Sequence, residues 1–164
     1  KDNYKINKRD INILLGIGGS GHTKRVPSKI FLSFIDKITK VKKCKFFLAT
    51  GKNVEEQIIL KEILESKFKN DCVPLDDLTI KEILPIIKNC NISICNDSSF
   101  SHLSAALNIE TITLMVDTPI VYGNYNSKMH PIIPDGETTV RHHTSGKDKM
   151  NPQKIFNKVI EILN

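Results

Sequence analysis

Where a strand ends in glycines followed by a hydroxyl and a basic side chain, the chain can hold phosphate. Gly16-Ile17-Gly18-Gly19-Ser20-Gly21-His22-Thr23-Lys24-Arg25-Val26-Pro27 has that make-up. Its glycines let backbone amides approach an anion closely, and Ser20 with Lys24 or Arg25 can complete the cradle. The spacing is neither that of a Walker A loop nor that of a dinucleotide fingerprint, so a flexible turn with solvated cations explains it equally well. A second segment, Asn96-Asp97-Ser98-Ser99-Phe100-Ser101-His102, runs from an apolar strand straight into a helix. Asp97 or Ser98 can cap that helix and leave other first-turn amides for a phosphate, with His102 one turn in. The plainer alternative makes Asp97 only a cap and His102 only a packed helix residue. A hydrolase triad is set aside, because the Gly-x-Ser-x-Gly elbow and a third member are missing. Arg141-His142-His143 lies in a polar loop without a third metal ligand, and no convincing partners accompany Cys90 and Cys95. Tyr122 and Tyr125 either stack on a base or pack against the closing helix.

Apolar periodicity supplies the elements that must position these loops. Short β-branched runs at 11–15, 46–49, 92–95 and 111–116, with a shorter one around Cys72-Val73, read as buried strands. Between them, amphipathic helices are expected over 28–41, 53–68, 79–89 and 99–108. The second should bury Ile58, Ile59, Ile63 and Leu64. Thr79 with Glu82 reads as a capping box, and Pro85 limits or kinks the helix it opens. Residues 117–146 read as loop with one short strand at Pro131-Ile132-Ile133. Asn151-Pro152 then starts a closing helix that buries Ile155, Phe156, Val159 and Ile162. Alternating strands and helices require crossovers, so the expectation is one α/β domain over residues 1–164. Its sheet is doubly wound and mainly parallel, with helices on both faces. Ligands of such sheets lie beyond the carboxyl ends of strands, where both candidate loops fall.

Composition bounds the function. An apolar fraction of 40% and a charged fraction of 26% in 164 residues suit a folded domain and exclude a disordered or fibrous chain. The net charge of +6 favours anionic partners without choosing among them. Nucleic acid is not expected, since no recognised motif or basic-aromatic interleaving is present. No apolar run reaches the roughly 20 residues that span a bilayer, and the polar start lacks a signal-peptide core. Cys44, Cys72, Cys90 and Cys95 are irregularly spaced and read as buried, reduced thiols of a cytoplasmic protein. Lysines between Lys37 and Lys45 read as a solvated helix end. An opening Lys1 in place of Met reads as a piece of a longer product.

The order of several blocks resembles glycosyltransferase family 9, the heptosyltransferases of bacterial lipopolysaccharide assembly and their relatives. These blocks are Gly19-Ser20 through Lys24-Arg25-Val26-Pro27, Leu48-Ala49-Thr50-Gly51 with Glu55-Glu56, and Asn96-Asp97-Ser98 through His102 to Ala105-Ala106-Leu107. Met115-Val116-Asp117-Thr118-Pro119 and Asn151-Pro152-Gln153-Lys154-Ile155 follow in the family's order. The resemblance implies the C-terminal, Rossmann-like half of a two-domain GT-B enzyme, which binds a nucleotide-sugar donor, typically ADP-heptose. Ser20 and Lys24 would contact the donor phosphates. Glu55, or its neighbour Glu56, would accept bonds from the ribose, and Asp97, Ser98 and His102 would line the pyrophosphate and sugar. The family inverts configuration in one displacement, using an acidic base in an N-terminal acceptor domain that is absent from this chain. The isolated chain is therefore expected to bind donor weakly and to transfer nothing. Cations and helix amides neutralise the departing diphosphate in this scheme, so neither metal nor other cofactor is expected. Work on a glycan or lipid-linked acceptor at the cytoplasmic face also allows peripheral contact with the inner membrane. Two positions depart from the pattern: Ser99 stands where the family usually has Gly, and the segment at Asp117 lacks its Gly-Pro. The alternative is a non-catalytic nucleotide-binding or partner-binding α/β module.

Overall fold

A computed structural model describes Tyr4 and residues 6–164. β1 (Ile11–Gly16) is buried along nearly its whole length, as an apolar strand covered on both faces must be. It sits at the centre of a six-stranded sheet with β2 (Cys44–Ala49), β3 (Cys72–Pro74), β4 (Ile92–Asn96), β5 (Thr111–Leu114) and β6 (Met129–Ile132). The order is β3-β2-β1-β4-β5-β6, and every neighbouring pair is parallel. The doubly wound parallel sheet is thus present as expected. β2 starts two residues earlier than its apolar run, because Cys44 and Lys45 pair with Ile11 and Asn12. β6 likewise starts at Met129 and carries Pro131, which an edge strand tolerates because its outer side needs no ladder donor.

Two cores flank the sheet. On one face α1 (Ser28–Thr39), α2 (Val54–Leu64) and α5 (Pro152–Leu163) bury Phe31, Phe34, Ile38, Leu60, Ile63, Ile155 and Val159 against Ile13, Leu15, Phe46 and Ile94. On the other, α3 (Ile80–Lys88) and α4 (Ser99–Ala106) bury Ile83, Ile87 and Phe100 against Leu14, Phe47 and Cys95. Caps fix most helix starts. Asn53 accepts from the Glu56 amide, Thr79 and Glu82 form the expected capping box, and Asn151 accepts from Gln153 with Pro152 behind it. α3 accommodates Pro85 by staying nine residues long.

The helices are shorter than their periodicity, ending at Thr39, Leu64, Lys88 and Ala106. α2 also faces differently from the sequence expectation. Its buried stripe is Glu56, Leu60 and Ile63, with Ile59 and Leu64 only partly covered, while Ile58 is 51% exposed. The physical reason is Glu56: its carboxylate accepts from the Thr50 hydroxyl at 2.9 Å and the Gly51 amide at 2.6 Å. That inward anchor sets the helix rotation and leaves Ile58, about 200° round the axis, toward solvent.

Candidate functional site

Strand order reverses between β1 and β4, and in an open parallel sheet the crevice beyond that reversal is where ligands bind. Both candidate loops leave the sheet there. Asn96, the last residue of β4, is fully buried and ties them together. Its Nδ2 donates to the Ile17 carbonyl at 3.0 Å and the Gly18 carbonyl at 3.2 Å, and its Oδ1 accepts from the Val26 amide at 3.3 Å. One side chain thereby pins the first and last parts of the glycine loop. Gly18 has to be glycine, because a Cβ there would collide with the Glu56 carboxylate and sit 2.7 Å from the Thr50 hydroxyl. The resulting crevice is lined by Gly19, Ser20, Gly51, Glu56, Ser98, Ser99 and Phe100.

On its β4 side, Asp97 is nine-tenths buried and accepts from the Thr118 hydroxyl at 2.6 Å. Lys24 Nζ lies 3.8 Å from Asp97 Oδ2, and His102 Nε2 lies 3.9 Å from Oδ1. Both contacts are at ion-pair range but longer than a hydrogen bond, and they gather a cation and an imidazole round Asp97 beside the crevice. Ser98 occupies the N-cap position of α4, yet its side chain makes no capping bond and its hydroxyl oxygen is buried without a partner. Neither Asp97 nor Ser98 caps this helix through its side chain, contrary to the sequence expectation. Asp97 is drawn away by Thr118, and the first amides of α4 are left to whatever enters the crevice.

Ser20, Lys24, Asp97, Ser98 and His102 therefore converge, while the two glutamates part company. Glu56 is buried beside Gly18 and Gly51. Glu55 is exposed and paired with the guanidinium of Arg25, a side chain that is only 5% exposed and donates from Nε to the Gly19 carbonyl at 2.7 Å. Arg25 thus braces the loop that sequence reading left it solvated on. A neighbouring cleft lined by Ser20, His22, Arg25, Asn53, Val54 and Glu55 continues from the crevice across the start of α2.

Asp117 anchors the far wall. It accepts from the Ser145 amide at 2.5 Å and from the Thr23 side chain. Burial raises its carboxyl pKa, but those two bonds and the nearby His143 and His142 outweigh burial and hold it below the ordinary 3.8. Sequence reading missed Asn96, Thr118 and the packing of Tyr125. Tyr125 stacks on His102 with ring centroids 5.6 Å apart, rather than on the closing helix, and Tyr122 meets the edge of His142. The only sequence signal for Asn96 was an amide closing an otherwise buried strand. Arg141, His142 and His143 are exposed, and among the described residues no group of three or more His, Cys, Asp or Glu could hold a metal. No helix of the described residues is long and apolar enough to cross a membrane. All four cysteines are buried and unpaired, as expected, and burial pushes their thiols up to about 12.

Known proteins resemble this chain in sequence and in fold. Over 147 residues the chain is 29% identical to lipopolysaccharide heptosyltransferase 1 of Campylobacter coli, covering 86% of the chain and 42% of that protein. Its fold matches the structure of E. coli ADP-heptose lps heptosyltransferase II with a TM-score of 0.79 and 17% identity, covering 99% of the chain and 49% of that structure. E. coli heptosyltransferase WaaC with ADP matches with a TM-score of 0.76 and 14% identity, over 96% of the chain and 46% of that structure. The chain therefore spans about half the length of the relatives it matches, and its α/β fold is that of the heptosyltransferase structures. The model of glycosyltransferase family 9 (heptosyltransferase) matches residues 2–160, and the chain belongs to that family.

Proposed function

We propose that this chain is the donor-binding, C-terminal half of an inverting glycosyltransferase and that it holds an ADP-activated, heptose-like sugar in the β1–β4 crevice. The observation that carries the reading is the convergence of Lys24 and His102 on Asp97, beside the uncapped start of α4 at the switch point of the sheet. A diphosphate placed there meets a cation, an imidazole and free backbone amides, the groups that stabilise negative charge as it develops on a leaving group. In this reading no metal or other cofactor has to neutralise the diphosphate. Ser20 contributes a hydroxyl from the glycine loop, and Ser98 supplies a hydroxyl without an internal partner. For the ribose, the geometry supports Glu55, which faces solvent beside the cleft, over Glu56, whose carboxylate is taken up by Thr50 and Gly51. The acceptor, a lipopolysaccharide-type or other glycan, and the acidic base that activates its hydroxyl belong in this reading to an N-terminal half. The relatives named for lipopolysaccharide heptosyl transfer and for ADP support the donor reading.

Calorimetric titration of the chain with ADP, UDP and GDP tests the reading. Saturable binding that favours ADP is expected. Lys24→Ala should lower that affinity by about 10- to 150-fold, the loss that follows from removing a charge-assisted hydrogen bond of about 1.5–3 kcal/mol. Unchanged affinity would take Lys24 out of the site.

A further inference from the structure

Two side chains from opposite ends of the segment after β5 reach back across the sheet to the start of α4. Thr118, near its beginning, donates to Asp97 at 2.6 Å, and Tyr125, near its end, places its hydroxyl 2.5 Å from His102 Nδ1. The segment between them is clamped to β5. Thr113 Oγ1 donates to the Gly123 carbonyl at 2.8 Å, and a Cβ on Gly123 would lie only 2.7 Å from that same Oγ1. Tyr125 is therefore held at its post by backbone packing, although its own ring is 57% exposed. Its ring lies nearly parallel to the imidazole, at an interplanar angle of 20°.

This geometry decides which imidazole nitrogen carries the proton. Nε2 faces the Asp97 carboxylate at 3.9 Å, and a lone pair pointed at a carboxylate is repelled whereas an N–H is attracted. With the proton on Nε2, Nδ1 is an acceptor, and the donor against it among the described residues is the Tyr125 hydroxyl. We infer that Tyr125 is a positioning residue: by donating to His102 Nδ1 it keeps the neutral imidazole protonated at Nε2, the nitrogen that lies beside Asp97 at the start of α4. In the donor reading, on which the purpose of the device rests, the N–H so presented meets an oxygen of the donor's diphosphate. A histidine with its tautomer free would present a lone pair to the same anion for part of the time. Tyr125 does this without touching the donor, and the stack keeps the imidazole ring from turning away.

The test is a long-range nitrogen–proton NMR spectrum of the His102 side chain, recorded on the full chain at about pH 8, where an ordinary imidazole is neutral. The native chain should show Nε2 protonated and Nδ1 as a hydrogen-bonded acceptor. Tyr125→Phe keeps the ring and its stack but removes the donor, and should raise the ratio of the Nδ1-protonated to the Nε2-protonated form about fivefold, as the loss of one ordinary hydrogen bond predicts. A proton on Nδ1 in the native chain, or an unchanged ratio in the variant, overturns the inference. Neither readout needs a nucleotide. Titrating the native chain with ADP tests the donor reading separately, and absence of ADP binding would overturn that reading while the tautomer result still decides the role of Tyr125.

Discussion

At the scale of single residues, the site depends on a side chain that carries no charge. Asn96 makes three hydrogen bonds to the backbone of the glycine loop from a fully buried position. Replacing it with Ala leaves two carbonyls and an amide unpaired in the interior, so Asn96→Ala should cost about 2–4 kcal/mol of stability in urea unfolding. A loss below about 0.5 kcal/mol would show that the loop holds its shape by other means. The thiols give an independent check of the core. With pKa values raised to about 12 by burial, Cys44, Cys72, Cys90 and Cys95 carry almost no thiolate at pH 8. Iodoacetamide should therefore label none of them until the chain is unfolded, as read by mass spectrometry, and rapid labelling of the native chain would contradict the packing. Sequence reading reached Ser20, Lys24, Asp97, Ser98 and His102 because charged and hydroxyl residues beside a strand end announce themselves. It missed Asn96, Thr118 and Tyr125 because their role is to contact other parts of the chain, and a contact between residues 79 positions apart leaves no local pattern.

At the scale of elements, loops are held to loops more than to the helices that follow them. Asp117 joins the segment after β5 to Thr23 in the glycine loop and to Ser145 near the start of α5. Because its carboxyl is held below 3.8 in the native state, its contribution to stability is present above the unfolded value. That contribution is lost as pH falls through the native one. Asp117→Asn should therefore be less stable than the native chain at pH 6, with the difference narrowing between about pH 5 and pH 3 as measured by urea denaturation. A difference that stays constant with pH would mean the charge of Asp117 plays no part. Elements themselves were legible in the sequence: strands as short β-branched runs, helices from their caps and stripes. Their ends and rotations were not. α2 shows why, since its orientation follows a buried glutamate, and hydrophobic periodicity has no way to score a Glu56 that turns inward to bond Thr50 and Gly51.

At the scale of the whole molecule, six parallel strands in the order β3-β2-β1-β4-β5-β6 put the β1 and β4 loops side by side. Alternation of strands and helices made the parallel sheet readable from the sequence. The strand order, which creates the crevice, followed only from the long-range pairing of Ile13 with Ile92 and Leu15 with Ile94. In the proposed function the acceptor and the catalytic base lie in the half of the enzyme that this chain does not span, so the chain should bind a donor nucleotide and fail to transfer its sugar. In the proposed function the diphosphate sits in the β1–β4 crevice. The most direct measurement is a backbone amide NMR titration of the chain with ADP. Saturable shifts centred on residues 18–24 and 98–102 are expected. Absence of shifts, or shifts centred elsewhere, such as on β6 and α5, would contradict that placement.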